Sequence, residues 1–310
     1  MMHIGWIGTG RMGAAMVERL LESSLKVSVW NRSPEKLSVL IEKGASAMPS
    51  PAALASEVDV IMSILSHDEA INDCYRGQHG VLSAGEAALR GKLVIEMSTV
   101  QPKVAQSLAS DLHRLGASML DCPVGGTVGP AREGKLLGLV GGSAEDLDRA
   151  QPILQQLCRR VEFMGPQGAG ASMKLCVNMP LMVYWQALGE ALSLVRHLPV
   201  SPEKLIDIMS DTSGTPTAMK GRGPAIARLM SGEAPAAAAF DMAMICKDLR
   251  CMLAEGASLA HDMPVVEAAL SAYERAIQEA DLGDCDGTAL PAYWSVRKKN
   301  DAQSLKSNDH

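Results

Sequence analysis

The first half of the chain alternates short β-branched runs with amphipathic stretches, the pattern of strands joined by crossover helices. Candidate strands cover residues 4–7, 26–30, 58–64, 92–96, 118–121, 136–140 and 161–164. Several are apolar on both alternating faces, as expected where helices cover both sides of a parallel sheet. Past Gly165 the texture changes. Gly168-Ala169-Gly170 leads into an apolar stretch that runs to Val195, and no strand pattern follows, so the second half is predicted to be all helix. Within it, Ser201 and Pro202 read as the N-cap and first position of a helix. Residues 212–223, rich in Gly, Thr, Pro and Ser, read as a long loop.

The first strand runs straight into Gly8-Thr9-Gly10-Arg11-Met12-Gly13, and a helical pattern follows from Ala14 to Leu21. Strand, glycine turn and helix in that order form a dinucleotide-binding fingerprint. The first glycine allows the tight turn, the second lets backbone N–H groups approach a pyrophosphate, and the third lets the helix pack against the strand. The helix N-terminus adds unpaired N–H groups and partial positive charge. After the second strand an NAD site places a carboxylate for the ribose 2′-hydroxyl, whereas this chain has Asn31-Arg32-Ser33. NADP(H) is therefore preferred, with Arg32 facing the 2′-phosphate or the adenine, and NAD(H) remains open as a second cofactor. The fold class is an α/β Rossmann-type doubly wound sheet followed by an all-α domain. The predicted organisation is a nucleotide-binding domain over residues 1–164, a helical substrate and dimerisation domain over 165–297, and a polar tail over 298–310.

At 310 residues and 47% hydrophobic content the chain can bury two cores. A net charge of −6 argues against a nucleic-acid surface and leaves room for a local site for a small anionic substrate. The seven cysteines form no CxxC pair and read as reduced core thiols of a cytoplasmic protein. The N-terminus shows no leader, and the apolar stretches are broken before the roughly twenty positions a membrane span needs. With 3% aromatics and 19 methionines, the cores are predicted to be aliphatic and thioether. His67, His79, His113, His197 and His261 have no metal-ligand spacing, so no metal is expected and they read as surface or capping residues. Asp248 and Glu190 read as structural helix residues. Lys220 and Arg222, in the 212–223 stretch, read either as guards of an anion's entrance or as solvated loop residues.

A nicotinamide cofactor needs a partner acid or base, because a proton leaves or joins the oxygen while hydride leaves or joins the carbon. Lys174, near the start of the apolar helix, is the candidate. Asn178 follows one turn later on the same face, where its amide could hold a substrate oxygen. Burial and a nearby cationic nicotinamide would both lower a lysine's pKa toward the working range. On the residues alone, a helix lysine with its head in water is an equal reading. Gly125-Gly126-Thr127, after a strand end, reads either as a nest of backbone N–H groups with a threonine hydroxyl for a carboxylate or sulfonate, or as a turn needing positive φ.

Several ordered motifs together carry a more specific signal: the glycine turn with Met12, Met97-Ser98-Thr99-Val100-x-Pro102, Asp121-Cys-Pro-Val-Gly-Gly, Val140-Gly141-Gly142, the Gly-x-Gly-x-x-x-Lys174 helix start and Lys247-Asp248-Leu249. In this order they resemble the β-hydroxyacid dehydrogenase family over nearly the whole chain. That family includes 3-hydroxyisobutyrate, tartronate semialdehyde and sulfolactaldehyde reductases and is related to 6-phosphogluconate dehydrogenase. The resemblance implies that Lys174 is the general acid/base and Asn178 binds substrate. It also implies that Ser63, Ile64, Leu65, Ser98 and Thr99 flank the nicotinamide and that Lys247 contacts cofactor or bound ligand. With the NADP preference read after the second strand, the expected activity is hydride transfer between a short 3-hydroxy acid and its semialdehyde or keto form, and the long apolar helices of the second half, which need another face to bury, predict a homodimer or homotetramer. Three positions depart from the family pattern: Gly125 replaces a common serine, Val177 replaces the first of a pair of asparagines, and Pro180 enters the catalytic helix, where it should bend it. Gly126 stands where the sulfolactaldehyde branch has arginine. Imine reduction on the same scaffold is the rival enzyme reading, against which Lys174 counts, and a non-catalytic NADPH-binding module is the rival from another class.

Overall fold

The computed structural model describes residues 2–297, and the predicted polar tail at 298–310 lies outside them. The chain divides into two compact units, Met1–Val177 and Asn178–His310.

The first unit is built on nine strands: β1 (His3–Ile7), β2 (Lys26–Trp30), β3 (Ser46–Ala47), β4 (Val60–Ser63), β5 (Leu93–Glu96), β6 (Ser118–Asp121), β7 (Val124–Gly125), β8 (Leu136–Gly141) and β9 (Cys158–Gly165). Their order in the sheet is β3-β2-β1-β4-β5-β6-β8-β7, with β9 also paired to β8. The strands from β3 to β6 are parallel, as the pattern predicted. The sheet is not wholly parallel, because β8 runs antiparallel to β6 and β7. Only the short helix Val128–Arg132 stands between β7 and β8, which is too little chain for a crossover connection. The two-residue strands β3 and β7 carry no apolar pattern of their own and were not predicted.

Alternation along the strands feeds two cores. Ile4, Trp6, Met62, Ile95 and Leu120 meet Met16, Val17 and Leu20 of the helix Arg11–Glu22 and Ile153 and Leu154 of the helix Ala144–Leu157. Ile7, Ile61, Val94 and Met119 meet Leu54, Ile71, Tyr75, Leu108 and Leu112 on the opposite face. Each such side chain removed from water contributes about 1.5–3 kcal/mol, which is why the period-two pattern is enforced on both faces. Cys74, Cys122, Cys158, Cys246 and Cys251 are buried thiols as expected, whereas Cys176 is exposed and Cys285 only partly buried.

The second unit is helical, with helices Pro202–Ser210, Ala218–Met230, Met242–Ser258, Pro264–Ala280 and Ala289–Val296 after the end of the long helix Ala169–Leu194. Among the described residues its only β pairing is two isolated bridges, Ala237 to Cys285 and Asp241 to Asp286. Ser201 caps its helix by accepting from the Lys204 N–H at 3.3 Å, with Pro202 at the first position. The loop predicted over 212–223 ends earlier, because residues from Ala218 onward are helical. Gly223 there packs so tightly that a Cβ would come within 2.7 Å of Ile206, so helix-to-helix packing wins over local propensity. Lys220 and Arg222 are accordingly helix residues, and Arg222 pairs with Asp286 at 3.2 Å, an internal contact rather than a gate. The long helix continues through Pro180.

Candidate functional site

In the strand order, β2 and β3 lie on one side of β1 and β4 to β6 on the other, so connections diverge after β1 and β4. Doubly wound sheets bind ligands at such a switch point, beyond the strands' C-terminal ends. The glycine turn sits there. Gly8 has φ +92°, and its N–H donates to Trp30 O at 3.0 Å, which ties the turn to the end of β2. A Cβ on Gly13 would lie 2.0 Å from Gly8 O, whereas one on Gly10 would meet nothing within 4 Å. The first and third glycines thus close the turn, and the second leaves its outer face open. The helix Arg11–Glu22 begins at Gly10 without a side-chain cap and without an acid in its first turn, and Thr9 Oγ1 is buried with no partner in the protein. Open face, uncapped N–H groups and an orphaned hydroxyl fit a pyrophosphate. Arg11 is exposed and Met12 half-buried at this edge.

Asn31 belongs to the turn: its Oδ1 accepts from Thr9 N–H at 3.1 Å, and its Nδ2 donates to Ser33 O at 3.0 Å. Arg32 next to it is exposed. The turn after β4 lies against the glycine turn on the other side, since a Cβ on Gly8 would come within 2.3 Å of Ile64 O and 2.9 Å of Leu65 Cδ2. The structure therefore brings together Gly8, Thr9, Asn31, Ile64 and Leu65.

Ser63 and Ser98 meet through a residue that the sequence reading did not single out. Glu96, 1% exposed, ends β5 beside Ser63 of β4 and Asp121 of β6 in the register. Its Oε1 accepts from Ser98 N–H at 2.6 Å, and its Oε2 contacts Ser63 Oγ, which lies 2.6 Å from Tyr75 OH. Ser98 Oγ in turn accepts from Leu65 N–H at 2.7 Å. Burial pushes the Glu96 carboxyl up to about 7, against the lowering effect of the Ser63 and Ser98 hydrogen bonds. Thr99 follows, half-buried.

Asp121 fastens the start of the long helix. Its carboxylate accepts from Gln167 Nε2 at 2.8 Å, Gly168 N–H at 2.7 Å and Ala171 N–H at 2.8 Å, so the first turn of Ala169–Leu194 is held on the end of β6. Burial raises its pKa, and these hydrogen bonds oppose the rise. Lys174 lies one turn further along and is 8% exposed, with Asn178 on the same face after one more turn. A buried lysine departs from the solvated-helix reading.

In the second unit Asp248, 1% exposed, accepts from Asn178 Nδ2 at 3.0 Å through Oδ2. Lys247 Nζ lies 2.6 Å from its Oδ1, a charge contact without hydrogen-bond geometry. A carboxylate only accepts, so the amide nitrogen of Asn178 must face Asp248. Asp248 was read as a structural helix residue, yet it joins two of the candidate site residues. Its signal was its place beside Lys247 in the Lys-Asp-Leu triplet. Gly125, by contrast, is a β7 residue paired with Leu137, not part of a free turn. Gly126 has φ +132°, and a Cβ there would meet Leu136 Cδ2 at 2.7 Å, so its backbone alone requires glycine. Thr127 is at the N-cap position of Val128–Arg132 without a side-chain cap bond. Among the described residues no three His, Cys, Asp or Glu side chains cluster for a metal, and no helix is long and apolar enough to cross a membrane.

Residues 3–165 match the family model of the NAD-binding domain of 6-phosphogluconate dehydrogenase, and residues 168–294 match that of NADP-dependent 3-hydroxyisobutyrate dehydrogenase. Glyoxylate/succinic semialdehyde reductase 1 of Arabidopsis thaliana is 34% identical over 93% of this chain and 97% of its own. Among solved structures, Mycobacterium tuberculosis 3-hydroxyisobutyrate dehydrogenase with L-serine superposes with a TM-score of 0.80 at 26% identity, over 94% of this chain and 98% of that one. Psf3 in complex with NADP+ and 2-OPP gives a TM-score of 0.79 at 26% identity, over the same shares of the two chains.

Proposed function

The chain belongs to the β-hydroxyacid dehydrogenase family, NAD(P)-dependent oxidoreductases of hydroxy acids, and from that premise we propose that it interconverts a short 3-hydroxy acid and its semialdehyde or keto form with NADP(H) preferred. The observation that carries this reading is the buried Lys174 on a helix fastened to a strand end by Asp121, with Asn178 one turn on. A lysine costs free energy to bury, and proton transfer to a substrate oxygen is a function that a lysine in such a place can serve.

When bound, the nicotinamide supplies the acceptor or donor of hydride at its C4. In the oxidative direction Lys174 Nζ, neutral, takes the hydroxyl proton as the C–H bond breaks; in reduction its ammonium returns that proton to the carbonyl oxygen. Asn178, its amide oriented by Asp248, holds the substrate beside Lys174. Gly10 and the helix N-terminus take the pyrophosphate. With Asn31 engaged by Thr9 and no carboxylate in Asn31-Arg32-Ser33 at the end of β2, Arg32 is the group that meets a 2′-phosphate. NAD(H) binds without that contact and more weakly. Thr127 supports the substrate's anionic group as a hydroxyl donor, and Thr127→Val tests this without the backbone strain that any change of Gly126 brings. The exposed apolar side chains Met173, Val177 and Leu194 on the long helix support self-association into a homodimer or homotetramer.

The deciding experiment is a rate panel with NADP(H) and NAD(H). It covers short 3-hydroxy acids, glyoxylate and succinic semialdehyde, and sulfonate and phosphate analogues. Turnover of at least one carboxylate-bearing member, faster with NADP(H), is the expected result. A cofactor that binds while no hydroxy acid or aldehyde reacts favours a non-catalytic module.

A further inference from the structure

The strand order says where each half of a dinucleotide must lie. With its pyrophosphate over the glycine turn after β1 and its adenosine over Asn31 and Arg32 at the end of β2, the remaining half extends the other way, over the ends of β4 and β5. The backbone at those two ends is held by one buried relay. Leu65 N–H donates to Ser98 Oγ, Ser98 N–H donates to Glu96 Oε1, and Glu96 Oε2 meets Ser63 Oγ, itself in contact with Tyr75 OH. Ser63, Tyr75, Glu96 and Ser98 are all at most 2% exposed, so none of them serves solvent. A glutamate in such surroundings is expensive, and an apolar residue would fill the strand position at lower cost.

We propose that Glu96 is a positioning residue for the nicotinamide half of the cofactor, bracing the turn after β5 through Ser98 and, with Ser63, the turn after β4. The proposal rests on the reading of the chain as an NADP(H) enzyme. Glu96 lies beneath the surface that the ring would occupy and acts through Leu65 and Ser98. Its carboxyl is one member of a polar row, Ser63, Glu96 and Asp121, at adjacent strand ends in register. Asp121 fastens the helix that carries Lys174, so the two carboxyls fix the two sides between which hydride and proton would move.

The test compares two nucleotides on the full chain: NADPH, and 2′,5′-ADP, which has the adenosine phosphates but no nicotinamide. Glu96→Ala should raise the Kd for NADPH about tenfold, the loss of roughly one strong positioning interaction, while the Kd for 2′,5′-ADP stays within about twofold. Glu96→Gln keeps an acceptor for Ser98 N–H and a polar partner for Ser63, and should restore NADPH binding to within about threefold of wild type. If Glu96→Ala does not fold, Ser98→Ala, which removes the acceptor for Leu65 N–H and the hydroxyl bond to Glu96 while leaving the backbone N–H bond to that carboxylate, should show the same selectivity at smaller size. Equal weakening of both nucleotides, no weakening of either, or a glutamine variant as impaired as the alanine one overturns the proposal. Wild-type protein that binds neither nucleotide removes the functional reading itself, and the proposal with it.

Discussion

The glycine turn after β1 and the strand ends of β4 to β6 sit side by side on one sheet edge, yet they are built by opposite means. The turn works with backbone: Gly8 bends it, Gly13 admits the helix, Gly10 leaves its face open, and the side chains of Trp6 and Asn31 serve that backbone by bonding to Gly8 O and Thr9 N–H. The neighbouring strand ends work with buried side chains, Ser63, Glu96 and Asp121, each fastening the segment that follows a strand. A pyrophosphate is met by uncharged N–H groups that need no tuning, whereas a reacting ring and a proton-transfer lysine need positions held to a fraction of an ångström. Buried polar networks supply that rigidity at a cost in desolvation.

The contrast can be broken most sharply at Lys174. Replacing it with Ala should lower kcat by about a hundredfold or more, while the Kd for NADPH moves little. Steady-state rates and a fluorescence titration on the same variant decide it, and unimpaired turnover would place the proton transfer elsewhere. Next in size is Arg32→Ala. Loss of a charge-assisted contact to phosphate should weaken NADP(H) by about ten- to a hundredfold and NAD(H) far less, and equal losses by calorimetry would contradict the NADP preference.

A pair of alanines separates folding from binding within the turn. Gly13→Ala drives a methyl into Gly8 O and should destabilise the fold by about 1–3 kcal/mol. Gly10→Ala, whose backbone is in the ordinary extended region and whose Cβ meets nothing, should leave the melting temperature alone and weaken NADPH by about tenfold. Thermal melts beside binding titrations give both numbers.

The last effect concerns pH. Glu96 releases its proton near 4.5 when unfolded and holds it to about 7 when folded, so the folded state binds more protons between those values. Its contribution is fully present below pH 4.5 and lost as pH rises through about 7, by an amount on the order of a few kcal/mol at most. The groups nearest it are Ser63, Ser98 and Tyr75, with Asp121 on the next strand; the Asp121 carboxyl, also raised, adds to the same trend. Urea midpoints at pH 5 and pH 8 should differ less in Glu96→Gln than in wild type, and an unchanged difference would show that Glu96 is not the group responsible.

The same contrast explains what was legible in the sequence. Glycine turns, caps and period-two cores are local, so the fingerprint, the Ser201-Pro202 helix start and the strands β1, β2, β4, β5 and β6 could be read from spacing. Glu96 could not, because its partner Ser63, and Tyr75 beyond it, come from other elements and a lone glutamate at a strand end carries no pattern. Strand direction was equally hidden: β8 has the apolar run of a parallel strand, and only the short connection before it turns it around. The helix beginning at Ala218 was masked by its own glycines, one of which the packed Ile206 demands. Asp248 stood in plain view beside Lys247, but its contact with Asn178 joins positions far apart in sequence.

The central claim is that hydride and proton pass at one site, the proton through Lys174. It is tested most directly by following deuterium from NADPH labelled at nicotinamide C4 into the semialdehydes of short 3-hydroxy acids, with glyoxylate and succinic semialdehyde beside them and with wild type and Lys174→Ala in parallel. The account predicts deuterium on the product's alcohol carbon by NMR with wild type, and transfer slowed by about a hundredfold in a variant that still binds NADPH. Label appearing equally fast without Lys174, or no transfer to these aldehydes or any other member of the panel, would contradict it.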